Sequence, residues 1–524
     1  MLIGDIAANN ARRYPDKNAL IDDDRVHTWS QVDDRARRLA NYLVAHGLTP
    51  GDRVMVIARN CIEWPEISFG LAKAGLVAVP VNIRLAPDEV AHVRDDSGAR
   101  AVIIHADHAE RFLAELTDLH LVLTIGPEYE SALAAADAKA PQANIAPQDV
   151  AVILYTSGTT GRAKGVMHTH RALLYQAADT NLVTEANRSD VMLATTPFFT
   201  AGGMVRTVSW LYLGQTMVIH QRFDPQAVID EIERSKITFT TFIPTMLHRT
   251  LAILEEGPAR DMSSLRRISY GSAPVPPGLA RKAMDLLGCD LQQRYGLTEC
   301  GGQATILTPQ DHRDIVGGRN SIATSCGRET PMCVIRVVDA DGNDAATGEV
   351  GEIVISSPAN AVGYWNRPEQ TAETFRSDGL RSGDLGYLDV DGYLHITGRK
   401  TDMIISGGFN VYPAEIERVI AHHTGVDLVA VVGAPDPEWG ETPVAVVIPK
   451  SHVTDRDALS AELAALCRAE LAGYKQPRRF LFWSEFPLGP AGKILKREIA
   501  NQVNHVVGEN AMLPVSTGST KEQP

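Results

Sequence analysis

The sequence predicts an α/β architecture: a large N-terminal domain of helix-flanked sheets with a β-rich subdomain, followed by a small α+β C-terminal domain. Three observations carry that expectation. Helix and strand patterns alternate through roughly the first hundred residues, short strands and Asp-Gly turns take over between about 340 and 398, and a second alternation starts near 401. At 524 residues the chain also exceeds what one hydrophobic core supports, so at least two domains are expected.

The elements follow in order. Thr28 or Ser30 can cap a helix whose stripe of Val32, Ala36, Leu39, Ala40 and Leu43 repeats at helical spacing until Gly47. A Pro50-Gly51-Asp52 turn leads into a strand over 53–58. Residues 63–74 read as a helix stopped by Gly75, and 76–81 is an apolar run too short for one. The segments 90–96 and 101–104 repeat the scheme, which implies parallel sheet covered on both faces. A strand over 149–156 feeds a Gly/Thr-rich loop. Strands over 352–356 and 393–397 alternate with turns at Asp341-Gly342, Asp378-Gly379 and Asp391-Gly392. Beyond 401 come a helix over 413–421, strands over 427–433 and 443–448, and a helix over 458–472. These assignments divide the chain into 1–399, 400–504 and a disordered tail over 505–524.

Composition narrows the function classes. Apolar residues at 44% and charged residues at 22% are globular values. A formal charge of −14 disfavours non-specific attraction to nucleic acid or to an anionic membrane. The cysteines (Cys61, Cys289, Cys300, Cys326, Cys333 and Cys467) are scattered without a CxxC pair, which points to reduced thiols rather than a disulfide framework or a zinc site. The opening segment lacks the long apolar stretch of a signal peptide, and no apolar run approaches the ~20 residues of a membrane span. A cytoplasmic protein with no stable membrane association is expected, and a homodimer is left open.

The most informative segment is Tyr155-Thr-Ser-Gly-Thr-Thr-Gly-Arg-Ala-Lys-Gly165. Ser157, Thr159 and Thr160 supply hydroxyl donors. Gly158 and Gly161 let backbone N–H groups wrap an anion, and Lys164 adds a point charge suited to phosphate. It is not a P-loop of the GxxxxGK[ST] form, because Gly165 follows Lys164 where a magnesium-holding hydroxyl would stand. Alone, such a loop reads equally as a surface turn. The eleven-residue order, however, resembles the phosphate-loop signature of the adenylate-forming superfamily (acyl-CoA synthetases, adenylation domains and beetle luciferases).

Further segments are similar to that family in the same order. Gly271-Ser272-Ala273-Pro274 resembles the adenine-pocket strand end, and Tyr295-Gly296-Leu297-Thr298-Glu299 the second signature. The resemblance implies that Tyr295 lies against adenine, Thr298 contacts phosphate and Glu299 holds Mg²⁺. Asp384 in Ser382-Gly383-Asp384 matches the family's ribose acceptor, and Arg399 in Gly398-Arg399 matches the arginine that in the family reaches ribose or phosphate. Gly492-Lys493 resembles the family's C-terminal lysine segment, which implies that Lys493 bridges the substrate carboxylate and the α-phosphate. With Thr156 leading into the phosphate loop, these residues form the implied ATP site, and Thr160, Glu299 and Lys493 the implied catalytic set. ATP, Mg²⁺ and coenzyme A are the implied cofactors and cosubstrates.

Acyl-CoA ligases are the nearest branch by resemblance. Gly407-Gly408 resembles the segment lining a pantetheine tunnel, while Trp439, Tyr474 and Arg478 resemble CoA-nucleotide contacts. Two departures stand out. Thr401 occupies the hinge position where Asp or Lys is usual, and Thr200 stands where many relatives carry a His beside the acyl carboxylate. Phe198, Phe199, Thr200, Met204, Val205, Phe242, Ile243 and Met246, with Gly271 and Gly296, would line an acyl pocket in which Gly202-Gly203 leaves room. The expected substrate is a hydrophobic monocarboxylic acid, aromatic, alicyclic or medium-chain aliphatic, converted with ATP and CoA to acyl-CoA, AMP and pyrophosphate. The alternatives are loading of a carrier-protein thiol, luciferase-type oxygenation, a P-loop kinase and a non-catalytic nucleotide-binding relative.

Overall fold

A computed structural model describes residues 1–141, 143–156, 162–271, 275–436, 439–488 and 494–510, with side chains through residue 505. It divides into two compact units. The larger holds Met1–Ser382 and Tyr387–His395, and the smaller holds Gly383–Gly386 and the chain from Ile396 onward.

Among the described residues the larger unit is built on two broad sheets. One has the order Leu121–Ile125, Ala101–His105, Arg53–Ile57, Val77–Pro80, Val150–Thr156 and Lys164–Thr169, parallel except for the final hairpin. The other has six adjoining parallel strands, Asp290–Tyr295, Arg267–Gly271, Phe239–Phe242, Val191–Ala194, Thr216–Ile219 and Asn18–Asp22, with antiparallel strands at both edges. Parallel order requires crossovers, and helices such as Glu63–Ala74 and Pro225–Ser235 supply them.

Local chemistry sets the element ends. The Thr28 hydroxyl accepts from Gln31 N while the Gln31 side chain accepts from Thr28 N, a reciprocal cap for helix Trp29–Ala45. Helix Glu63–Ala74 stops at Gly75, whose φ of 72° is left-handed. The helix expected over 90–96 starts earlier, as Pro87–Ser97, because Pro87 stands in its first turn and the Glu89 carboxylate accepts from Ala86 N.

The largest core lies where helices Trp29–Ala45, Glu63–Ala74, His170–Thr184 and Ala201–Leu211 pack together, around buried Trp29, Trp64, Phe69, Phe198 and Trp210. A second core, with Phe242, Tyr270 and Leu291, covers the other face of the larger sheet beneath helices Pro225–Ser235 and Pro277–Leu287. The β-rich segment forms strands Val334–Val338, Gly351–Ser356 and Gly379–Leu388.

The smaller unit alternates cleanly. On strand Val426–Asp436, Val431 faces the core under helices Pro413–Ala421 and Arg456–Glu470, while Ala430 and Val432 face helix Lys496–Asn510. That last helix carries regular structure into the stretch read from sequence as tail. Residues 511–524 lie outside the described residues.

Candidate active site

Several expected site residues fall outside the described residues: Ser157, Gly158, Thr159, Thr160 and Gly161 of the phosphate loop, Ser272, Ala273 and Pro274 of the adenine segment, and Lys493. The flanks of the phosphate loop are described. The hairpin of Val150–Thr156 and Lys164–Thr169 sets Thr156 opposite Lys164, so the loop is held at both ends by one ladder.

Lys164 is half-buried, and its Nζ lies 3.8 Å from the centre of the Tyr364 ring. The Tyr364 hydroxyl donates to Glu299 Oε1 at 2.8 Å, and Ala361 N donates to the Glu299 carbonyl at 2.8 Å. Burial lowers the Lys164 pKa, and the negative charge of Glu299 opposes that shift. The segment around Tyr364 reaches this place by pairing with the loop's second strand: Trp365 N donates to the Gly165 carbonyl and Met167 N to that of Gly363. Tyr364 thus joins the two signatures. Sequence reasoning missed it because an isolated tyrosine has no spacing to mark it.

Gly296 is required where it stands. A β-carbon there would lie 2.5 Å from Gln303 N, so the second signature turns against its own backbone. Tyr295 and Thr298 are half-buried around it. Gly271 pairs in register with Arg294, two strand ends meeting beside this turn.

The candidate acyl residues separate into two groups. Phe198, Phe199, Met204 and Val205 pack in the large core. Phe242 is fully buried in the second core, edge-on to Phe223 at 5.9 Å, with Met246 packed against the same cluster. The structure does not bring Phe242 to Phe199 and Met204. Thr200 caps helix Ala201–Leu211: its hydroxyl donates to the Pro197 carbonyl at 2.8 Å and accepts from Gly203 N at 3.1 Å. The two glycines also differ. A β-carbon on Gly203 would stand 2.0 Å from the Pro197 carbonyl oxygen, so that glycine serves close packing, whereas Gly202 is open.

In the smaller unit Asp384 is buried, and its Oδ1 lies 2.8 Å from Arg399 Nε. The residues expected to serve ribose are therefore paired with each other, which orients the carboxylate. Thr401 is exposed and donates to Asp402 Oδ1 at 3.2 Å. Gly407 has φ 57°, and a β-carbon there would lie 2.5 Å from the Trp439 ring, so a tight turn under the indole demands it. Gly408 is exposed. Arg478 stacks over Trp439 at 5.3 Å beside a cavity of about 240 Å³ that Asp436 and Arg479 also line. Tyr474 stacks on Phe409 at 4.7 Å.

Comparison with known proteins decides what this framework is. Residues 7–365 match the AMP-binding enzyme family, and residues 415–493 match the AMP-binding enzyme C-terminal domain. The chain belongs to the AMP-binding enzymes. This AMP-binding enzyme is 37% identical over 500 residues to a feruloyl-CoA synthase of Amycolatopsis sp, covering 95% of this chain and 98% of that one. It is 35% identical to the fatty acid–[acyl-carrier-protein] ligase ScoC of Streptomyces coeruleorubidus, covering 94% and 95%. Among solved structures it is similar to ATP-bound MatB from Rhodopseudomonas palustris, with a TM-score of 0.86 and 28% identity over 97% of this chain and 100% of that one. Its fold is that of the adenylate-forming enzymes, and it is similar to acyl-CoA synthetases.

Proposed function

We propose that this AMP-forming ligase converts a carboxylic acid with an apolar body, together with ATP and CoA, into acyl-CoA, AMP and pyrophosphate. The observation that carries the reading is the Lys164–Tyr364–Glu299 cluster, which gathers a cation and a carboxylate at the flank of the phosphate loop. The feruloyl-CoA synthase relative supports CoA as acceptor, and the buried Phe198, Phe199 and Met204 support an apolar acyl body.

Residues 1–399 form the adenylating domain in this proposal, and 400–504 a mobile domain that turns about Thr401. The substrate carboxylate attacks the α-phosphorus and pyrophosphate leaves. The CoA thiol then attacks the acyl carbon, and AMP leaves with the bonding pair. Lys493 offsets charge as carboxylate and phosphate approach. Arg399 holds Asp384 in place to accept from ribose hydroxyls, and Trp439 with Arg478 receives the CoA nucleotide.

Glu299 suits Mg²⁺. One oxygen is held by Tyr364, and no group of three or more His, Cys, Asp or Glu among the described residues forms an all-protein cage. That fits a cation taking its remaining ligands from phosphate and water, and when bound it would neutralise developing phosphate charge. No helix among the described residues is long and apolar enough to cross a membrane, and the cytoplasm is the proposed location.

Carboxylate-dependent ATP–pyrophosphate exchange and CoA-dependent AMP release, run over aromatic, alicyclic and aliphatic acids, test the reading. Exchange followed by thioester formation is expected, and Lys493→Ala abolishes exchange. ADP as product would overturn it. The ScoC relative favours one second reading, a carrier-protein acceptor. Exchange without CoA turnover would select it.

A further inference from the structure

Helix Pro87–Ser97 carries an aspartate in its last turn, and local chemistry gives no reason for it. A carboxylate there meets the negative end of the helix, where a cation is favoured. Asp96 nonetheless stands at that end with its side chain only 9% exposed. Its partners come from two distant parts of the chain. The Tyr155 hydroxyl donates to Asp96 Oδ2 at 2.7 Å, and Arg367 Nη2 donates to Asp96 Oδ1 at 2.5 Å. The Asp96 carbonyl is one of those that a helix end leaves without an intrahelical donor. It accepts from Trp365 Nε1 at 3.1 Å and from Asn366 Nδ2 at 3.3 Å.

Both sets of partners flank the candidate nucleotide site. Tyr155 opens the phosphate-loop segment and pairs in register with Gly165. A β-carbon on Gly165 would lie 3.2 Å from Tyr155 Cζ, so the phenol ring crosses the bare backbone of the returning strand. The Gly165 carbonyl accepts from Trp365 N at 2.8 Å. Arg53 covers the Trp365 ring at 5.4 Å, and its Nε donates to the Ser97 carbonyl at 2.7 Å. Between these anchors Tyr364 turns its ring to Lys164 and its hydroxyl to Glu299. The turn then passes through Asn366, whose φ of 53° is left-handed and whose amide is the group bonded to Asp96.

We propose that Asp96 is a positioning residue for the nucleotide: its carboxylate ties the entry of the phosphate loop to the turn that carries Tyr364, and so sets Tyr364 against Lys164 and Glu299. This deepens the ligase reading above and rests on it. The carboxylate acts through Tyr155 and Arg367, and the bond to Arg367 is a charge-assisted one that a neutral amide cannot reproduce. Tyr155 stays a donor, because burial and then the bond to Asp96 push its pKa above the usual tyrosine range.

A double-mutant cycle tests this. MgATP is titrated calorimetrically into the full-length wild-type, Asp96→Asn, Tyr155→Phe and Tyr364→Phe proteins and into the double variant of Asp96→Asn with Tyr364→Phe. Pyrophosphate exchange is run on the same proteins with aromatic, alicyclic and aliphatic acids. Asp96→Asn is expected to raise the KM for MgATP about tenfold while kcat changes less than about twofold. Tyr155→Phe, which keeps the ring over Gly165, raises it about threefold. Because Asp96 works through Tyr364, the double variant loses about tenfold in kcat/KM, as each single variant does, rather than about a hundredfold. If Asp96→Asn does not fold, Tyr155→Phe combined with Tyr364→Phe decides on the same criterion.

A merely structural aspartate would lower the thermal midpoint and leave the KM for MgATP within about twofold in both Asp96→Asn and Tyr155→Phe. That result overturns the proposal, while wild-type exchange keeps the ligase reading. A double variant that falls about a hundredfold also overturns it, since Asp96 and Tyr364 would then act independently. Weaker MgATP binding in Asp96→Asn, in a protein that exchanges pyrophosphate with no acid, leaves the positioning role standing and removes the ligase reading.

Discussion

Two clusters of the larger unit treat positive charge in opposite ways. Around the phosphate loop, Lys164 lies over Tyr364, whose hydroxyl holds Glu299, so the half-buried cation has an acid within reach. In the larger sheet, Arg294 is buried, and among the described residues its hydrogen bonds go to the neutral oxygens of Ser269, Thr241 and Gln303. The first arrangement is balanced in the protein alone and suits a nucleotide that brings its own counter-cation. The second answers its charge indirectly, through neutral oxygens and through Gln303, which donates to Asp179 at 3.0 Å.

Substitutions can break or sharpen that contrast. The largest effect is expected from Glu299→Gln, which leaves Lys164 unanswered and weakens the proposed Mg²⁺ ligand. Pyrophosphate exchange should fall about a hundredfold, with the KM for MgATP rising. A fall of less than about threefold would separate Glu299 from the nucleotide. Next comes Gly203→Ala, whose β-carbon would meet the Pro197 carbonyl at 2.0 Å. A loss of ~1–3 kcal/mol is expected in denaturant unfolding. Tyr364→Phe keeps the ring over Lys164 but removes the hydrogen bond to Glu299. Exchange should fall about tenfold, near the ~1.4 kcal/mol of one charge-assisted hydrogen bond, with thermal stability little changed.

Smallest is Gly202→Ala: its neighbours stand at 3.8 Å, so helix stability should change by less than ~1 kcal/mol while the space beside Arg206 narrows.

Much of the framework was legible in the sequence because short-range chemistry determines it. The helix Glu63–Ala74 was readable to the residue, since Gly75 adopts the left-handed conformation that ends it. Helix Pro413–Ala421 was readable for a similar reason, with a proline in its first turn. Boundaries slipped where a side chain several positions away takes part, as at Ala86 and Glu89. The candidate site was legible as ordered motifs, yet two of its glycines mean something different in three dimensions. Gly203 and Gly407 read as openings in sequence, but they are packed against Pro197 and Trp439. Phe242 reads as a pocket residue by position, yet strand alternation turns it to the opposite face of the sheet from Thr241, which meets Arg294.

By itself the sequence determined the local elements, the caps that end them and the chemical character of the nucleotide signatures, because each depends on residues a few positions apart. Tertiary structure alone decided that Tyr364 meets Lys164 and Glu299, that Asp384 and Arg399 pair, and that Arg294 meets Ser269, Thr241 and Gln303. The physical reason is that a charge acts on whatever lies within a few ångströms of it. Only the crossing of distant strands and helices decides what that is.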